Sequence, residues 1–554
     1  MTGPRRLPRI AIIGAGFSGI AVAVEMLEAG FDDVVLFDEA DGIGGTWWHN
    51  AYPGAEVDTP SILYSFSYAP EAWTRNFVRQ RELQSYLAEV ADRFGVTERT
   101  RFRTRVVSAT WNAARQGYTL LLSDGSSEEF DILVSAVGFL NVPKFPTWPG
   151  LDTFSGPVLH SARWDDSVEI DGKVVAVVGS GSTAAQLVPG IASRVEKLLM
   201  FQREPGWLLP KHSRDFTPDE RTRLRSPVVQ RIVRLSMLRR REKVQHHLVL
   251  LRPGTRANQT AEKNARGYIA KVFADRPDLA EAVTPKYPFG GKRPMMADDL
   301  YPAMLRPNVE LVPLAVERVV EDGLVDVTGK RHEADVLVLC TGFDTRYITT
   351  LEVIGPDGRS LNETWNGEPE ALLGIMTPGF PNFFMMYGPL TNGGAVASML
   401  EEQAKYIASA ARSLVRGDRD AVEVRRAPVK RFNRLIQARL AGTAFYDASN
   451  YYMSPSGKVV TQWSDGAGFY TLMARTWRKW PWSFTRVLPR ASGRRWARPK
   501  ARRGRRLDLW PAILHPRRTM RAVKDLQQAD KGNVFAAGRA GQADEEIPSE
   551  LIGT

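Results

Sequence analysis

Two glycine fingerprints, each at the end of an apolar run, constrain this chain more than any other feature. Ile10-Ala11-Ile12-Ile13 runs into Gly14-Ala15-Gly16-Phe17-Ser18-Gly19, and Val174-Val175-Ala176-Val177-Val178 runs into Gly179-Ser180-Gly181-Ser182-Thr183-Ala184. A buried strand that turns at once into a helix calls for this pattern. The first glycine permits the turn, the second lets backbone approach a phosphate, and the third small residue packs helix on strand. The helix N-terminus, here Ser182 and Thr183 in the second unit, then offers its amides to a pyrophosphate. Twenty-four residues beyond the first glycine stand Asp38 in one unit and Arg203 in the other. A carboxylate at that range accepts hydrogen bonds from a ribose diol, whereas a guanidinium suits a 2′-phosphate. The first unit is therefore expected to bind FAD or NAD and the second NADPH, with Glu204 a competing ribose ligand beside Arg203. One GxGxxG is a weak signal. Two copies, each between strand and helix with a charged residue at the right range, weigh against ordinary turns that bind nothing.

A chain of 554 residues, 43% hydrophobic and 25% charged, is long enough for several soluble domains. Its single cysteine, Cys340, excludes a disulfide framework and the reductases that pair nucleotide domains with a dithiol. The seven histidines form no metal-spaced cluster, so no metal site is expected. The formal charge of +12 is concentrated in residues 486–524, where fourteen Arg or Lys stand against Asp508 alone, leaving the rest close to neutral. Such a tail reads as a solvated appendage or as a surface for an anionic partner. Trp496, Leu507, Leu509 and Trp510 among the arginines keep contact with a membrane surface as an alternative to the solvated tail, and no nucleic-acid partner is expected. A short polar leader precedes Ile10 and makes the cytoplasm the expected compartment. The uncharged stretch 371–400 is interrupted by prolines, asparagines and five glycines. It reads as buried strand and loop beside a cofactor rather than as a membrane span.

The expected fold is α/β, with two Rossmann-like dinucleotide-binding domains and a helical insertion. Ile132-Leu133-Val134-Ser135 before Gly138-Phe139 is mirrored by Val336-Leu337-Val338-Leu339 before Gly342-Phe343, which implies a duplicated architecture. The expected segments are 1–147 (first part of the FAD domain), 148–212 (first part of the NADPH domain) and 213–285 (the insertion). The NADPH domain resumes over 286–344, the FAD domain over 345–480, and 481–554 is a basic extension. Residues 401–414, free of Pro and Gly, are expected to form an amphipathic helix.

Further segments carry the chemistry. Gly44-Gly45-Thr46-Trp47 follows Asp38, and Tyr52-Pro53-Gly54-Ala55-Glu56-Val57-Asp58 comes next. Phe289-Gly290-Gly291-Lys292-Arg293-Pro294 closes the insertion, and Pro381-Asn382-Phe383-Phe384 leads into Gly388-Pro389. Phe154, Gly156, His160, Trp164 and Asp165 have the spacing FxGxxxHxxxW followed by an acid. On these motifs the chain resembles the class B flavin-dependent monooxygenases, and among them the type I Baeyer–Villiger monooxygenases, over residues 7–480.

The resemblance implies FAD in the first unit, NADPH in the second and a catalytic cleft between them. It implies that Arg293 is the active-site arginine, that Lys292 joins Arg203 on the 2′-phosphate, and that Asp58 orients Arg293. Thr46, Trp47 and Tyr64 fall on the flavin side. His160 has a packing and conformational role, not that of a base. The implied reaction uses O2 and a small carbonyl substrate: a deprotonated peroxide at flavin carbon C4a attacks the carbonyl and yields an ester or lactone. A permanent cation favours both that anion and the oxyanion that follows. Arginine serves better than lysine, whose pKa falls on burial. Plainer readings make Arg293 a structural ion-pair partner and Asp58 a turn cap. The alternative functions are oxygen transfer to nitrogen or sulfur, or a non-oxygenating membrane-associated flavoprotein. Two departures bear on the substrate side: Ala51 where the family has arginine, and Asn450-Tyr451-Tyr452 where it has serine-tryptophan-tyrosine.

Overall fold

A computed structural model of the chain describes residues 6–417, 419–479, 485–488, 496–497 and 499–500. Two five-stranded parallel sheets organise it. In the first, the strands run in the order Phe383–Met385, Ile132–Ser135, Ile10–Ile13, Val34–Phe37, Thr100–Arg101. In the second the order is Val309–Val312, Lys197–Phe201, Val174–Val178, Val336–Leu339, Val158–His160. Each fingerprint thus leaves the carboxyl end of a central strand. Those strands are apolar without alternation because both faces of each sheet are covered, one by helices and the other by an antiparallel meander of the same unit.

The two units repeat in detail. Each has an antiparallel three-stranded meander before the strand that returns to the centre. It comprises Val106–Asn112, Gly117–Leu122 and Ser127–Phe130 in one, and Val316–Val320, Gly323–Asp326 and Arg331–Glu333 in the other. Gly14 and Gly179 take positive φ of 107° and 133°. A Cβ there would lie 2.6 Å from the Ala136 carbonyl oxygen and 2.4 Å from that of Cys340, each at the end of the returning strand. After Phe343 the chain crosses back: Phe383–Met385 pairs with Ile132–Ser135 in the first sheet.

Between the halves of the second sheet lie the helices Pro218–Leu224, Pro227–Gln245, Arg256–Val272 and Pro277–Ala282. Thr217 and Glu220 form a reciprocal capping box that starts the first of them. Arg234 pins the second to the other unit, its guanidinium donating to the Ile62 and Ser65 carbonyls at 2.8 Å each and to Ser398 Oγ at 3.0 Å.

The amphipathic helix expected over 401–414 runs from Val396 to Arg416, and its polar side is largely buried as well. It packs against Phe17–Glu28 on one side and Ala467–Lys479 on the other. The acids that suggested a wet face are internal: Glu401 accepts from Ser67 N at 2.6 Å, and Glu402 is paired with Arg475 and Lys405. In the extension, Thr485–Leu488 pairs antiparallel with Ala421–Val424, and buried Trp496 donates from its indole to the Arg419 carbonyl at 2.8 Å. The extension therefore starts inside the fold. Most of the arginine-rich stretch 486–524, with its expected membrane contact, lies outside the described residues. No helix among the described residues is long and apolar enough to cross a membrane.

Candidate active site

A cleft of about 910 Å³ opens between the carboxyl ends of the two sheets. Gly14 and Gly16 line it from one side, and Gly181, Ser182 and Thr183 from the other. Gly19 and Gly179 are not at its surface: Gly179 belongs to the turn beneath, and Gly19 lies in the first turn of a helix, packed against the Gly14 carbonyl. The helices Phe17–Glu28 and Ser182–Ile191 start at Gly16 and Gly181, and neither N-cap makes a side-chain capping bond. Their first-turn amides suit an anion. A Cβ added at Gly181 would meet nothing within 4 Å, so the backbone there is open to close approach. Both N-termini fit a dinucleotide pyrophosphate.

Asp38 lies on the cleft wall, where its carboxylate accepts from Ala15 N at 2.6 Å and from Ala40 N at 2.9 Å. Burial raises its pKa, only partly offset by these bonds. Asp38 thus braces the first glycine turn, and each oxygen retains capacity for a further bond to a diol. Thr46, Trp47 and Tyr64 line the same half. The indole of Trp47 donates to Tyr64 Oη at 3.3 Å, with the rings edge-on at 5.7 Å.

Arg293 reaches across to Asp58, and the two form a hydrogen-bonded ion pair. Burial raises the Asp58 carboxyl, but Arg293 beside it, with Arg241 and Lys211 farther off, carries it below the usual carboxylate range. Asp58 in turn holds the Arg293 guanidinium well above its ordinary value against burial. Both groups remain charged throughout the neutral range. On the opposite flank Lys292 is paired with Glu204, whose backbone carbonyl accepts from Ser180 Oγ at 2.7 Å, and Arg203 is exposed beside them. Glu204, considered above as a ribose ligand, is committed to Lys292.

Asp58 owes its position to a clasp that sequence reasoning missed. Gln186, on the helix of the second fingerprint, accepts from Tyr52 Oη at 2.8 Å and donates to the Glu56 carbonyl at 3.0 Å. Glu56 pairs with the fully buried ammonium of Lys211. Arg241, also missed, enters the cleft from the insertion, and Tyr387, donating to Asn392 Oδ1 at 2.7 Å, closes the flavin side. In the sequence, Arg241 is one of three consecutive arginines and nothing singles it out.

His160 is buried outside the cleft lining. Its Nδ1 accepts from Ala162 N at 3.1 Å, its ring lies 5.3 Å from that of Phe145, and burial lowers its pKa. Trp164 also stands off the cleft and donates to Asp166. Among the described residues no three His, Cys, Asp or Glu side chains gather as metal ligands would.

Residues 7–241 match the family of flavin-binding monooxygenase-like proteins. A Baeyer–Villiger monooxygenase of Streptomyces coelicolor is 37% identical over 462 residues, covering 82% of this chain and 88% of that protein. One of Pseudomonas aeruginosa is 34% identical over 463 residues, covering 82% and 87%. Among solved structures, an oxidised steroid monooxygenase bound to NADP superposes with a TM-score of 0.79 at 29% identity, covering 87% of this chain and 100% of that one. Cyclohexanone monooxygenase from Rhodococcus sp. Phi1 bound to NADP+ gives 0.79 at 28% identity, covering 88% and 100%. With two parallel-sheet units meeting at an arginine–aspartate pair, and relatives aligned over four-fifths of its length, the chain belongs to the Baeyer–Villiger monooxygenases.

Proposed function

We propose that this protein is an FAD-dependent monooxygenase that uses NADPH and O2 to convert a ketone to an ester or lactone. The observation that carries the proposal is the Arg293–Asp58 pair, set where the two uncapped helix N-termini face one cleft.

In this reading residues 1–147 and 345–480 form the FAD domain. Residues 148–212 and 286–344 form the NADPH domain, with 213–285 inserted and 481–554 a basic extension. Gly14, Gly16, Asp38, Thr46, Trp47, Asp58 and Tyr64 would hold FAD, with Gly19 allowing the close packing behind the first turn. Gly181, Ser182, Thr183, Arg203, Lys292 and Arg293 would hold NADPH, with Gly179 forming the turn beneath. When bound, FAD takes electrons from NADPH and activates dioxygen. The protein supplies the rest. Arg293, fixed in its charged form, stabilises the negative charge that gathers on the carbonyl oxygen during attack. Asp58 orients that guanidinium and keeps it paired between turnovers. Trp47, Tyr64, Tyr387 and Tyr452 wall the site with aromatic surface and exclude water.

Products from purified protein, NADPH and a panel of ketones, sulfides and amines test this by mass spectrometry. Esters or lactones from ketones are expected. Sulfoxides or N-oxides alone would move the chain to the soft-nucleophile oxygenases, and hydrogen peroxide alone would remove oxygenation altogether.

A further inference from the structure

Lys292 and Arg293 stand on a strip, residues 289–294, that is neither helix nor strand. Regular pairing begins only at Met295–Met296, against Leu208–Leu209. A strip of this kind needs fasteners if it is to hold a guanidinium on a carboxylate. On one side Leu251 of the insertion packs where Gly290 lacks a side chain. On the other, a Cβ at Gly291 would lie 3.0 Å from both Ala448 Cβ and the Tyr287 ring, so the loop 444–452 abuts the strip.

We propose that Asn450 is the positioning residue that locks this loop to the cation-bearing strip. Its Nδ2 donates to the carbonyls of Gly291 at 2.9 Å, Phe445 at 2.7 Å and Ala448 at 2.9 Å, and its Oδ1 accepts from Tyr452 N at 3.0 Å. Three carbonyls share two amide hydrogens, a demand that a short side chain meets only as a primary amide. Gly291 immediately precedes Lys292 and lies two residues before Arg293. Phe445, Tyr451 and Tyr452 line the cleft, and the two tyrosines are near enough to act on the charge of Arg293. One amide therefore joins the aromatic wall of the substrate side to the backbone that carries both cations.

For its product readout the inference rests on the oxygenase reading; its binding readout does not. Asn450→Asp keeps the size, removes both donors and sets a carboxylate against three carbonyl oxygens. Asn450→Ser keeps a single donor and serves if the first variant does not fold. With purified holoenzyme, affinities for NADP+ and NAD+ are measured by calorimetry, alongside ester formed per NADPH, flavin content and melting temperature. Asn450→Asp should bind NADP+ about fivefold more weakly, the worth of one hydrogen bond, with NAD+ unchanged. Ester per NADPH should fall by a similar factor at parental flavin content, with the serine variant intermediate. Unchanged NADP+ affinity and ester yield in both variants overturn the proposal. So does an equal loss for NADP+ and NAD+ that tracks the melting temperature, which marks general loosening. If the parent makes no ester, the oxygenase reading fails by itself, and the NADP+ to NAD+ comparison still decides Asn450.

Discussion

At Arg293 two requirements meet: a cation that stays charged in a half-enclosed cleft, and one aimed at a carbonyl oxygen. Asp58 meets both, since it raises the affinity of the guanidinium for its proton and fixes its direction. Arg293→Ala should still take up flavin and be reduced by NADPH, while ester formation falls roughly 100-fold or more, as when an oxyanion donor is removed; ester formation at the parental rate would end the assignment. The pair also predicts a pH response. The Asp58 pKa is depressed in the fold, so its pairing is complete above the ordinary carboxylate pKa of about 3.9 and is lost as pH falls through the lower folded value. The raised pKa of Arg293 keeps its proton up to still higher pH. Across pH 5–9, about the range open to assay, a titration of this pair should leave no inflection in the rate of product formation. Arg203→Ala should weaken NADPH binding by roughly 1.5–3 kcal/mol with little effect on NADH, which a titration of both coenzymes would check. Asp38 and Arg203 could be read in the sequence because each stands at a fixed distance from a glycine fingerprint, and Arg293 because its segment resembles that of a known family. Gln186 is not: its partner Tyr52 is 134 positions away, and only the folded chain brings them together.

Among the elements, the strands and fingerprint helices could be read because local pattern and burial agree. The long helix Val396–Arg416 could be recognised but not oriented. Glu401 and Glu402 look solvent-facing until Ser67 and Arg475 arrive from other parts of the chain, with Lys405 on the next turn closing over Glu402. The same contrast separates two glycines of similar sequence context. Gly14 has positive φ and no room for a Cβ, whereas Gly181 has φ −84° and open space. Gly181→Ala should thus fold with a melting temperature close to the parent yet bind NADPH more weakly, because its methyl group takes the place where a phosphate approaches backbone. Unaltered NADPH affinity in a well-folded Gly181→Ala variant would remove the second fingerprint from the coenzyme site.

At the scale of the whole molecule, duplication was visible in the sequence as two fingerprints and two returning strands. How the copies face each other was not. That depends on the Gln186 clasp, on the Lys211–Glu56 pair buried at the junction, and on Arg234, which ties the insertion to the opposite unit. These contacts bring Asp58 from one unit against Arg293 from the other. The most direct test of that arrangement as an oxygenase is the fate of dioxygen. Purified flavin-loaded enzyme is given a ketone, NADPH and 18O2, and the product is analysed by mass spectrometry. This arrangement should give an ester or lactone carrying a single 18O atom, with one NADPH consumed per product. Consumption of NADPH that yields only labelled hydrogen peroxide, or an ester whose new oxygen comes from water, would contradict it.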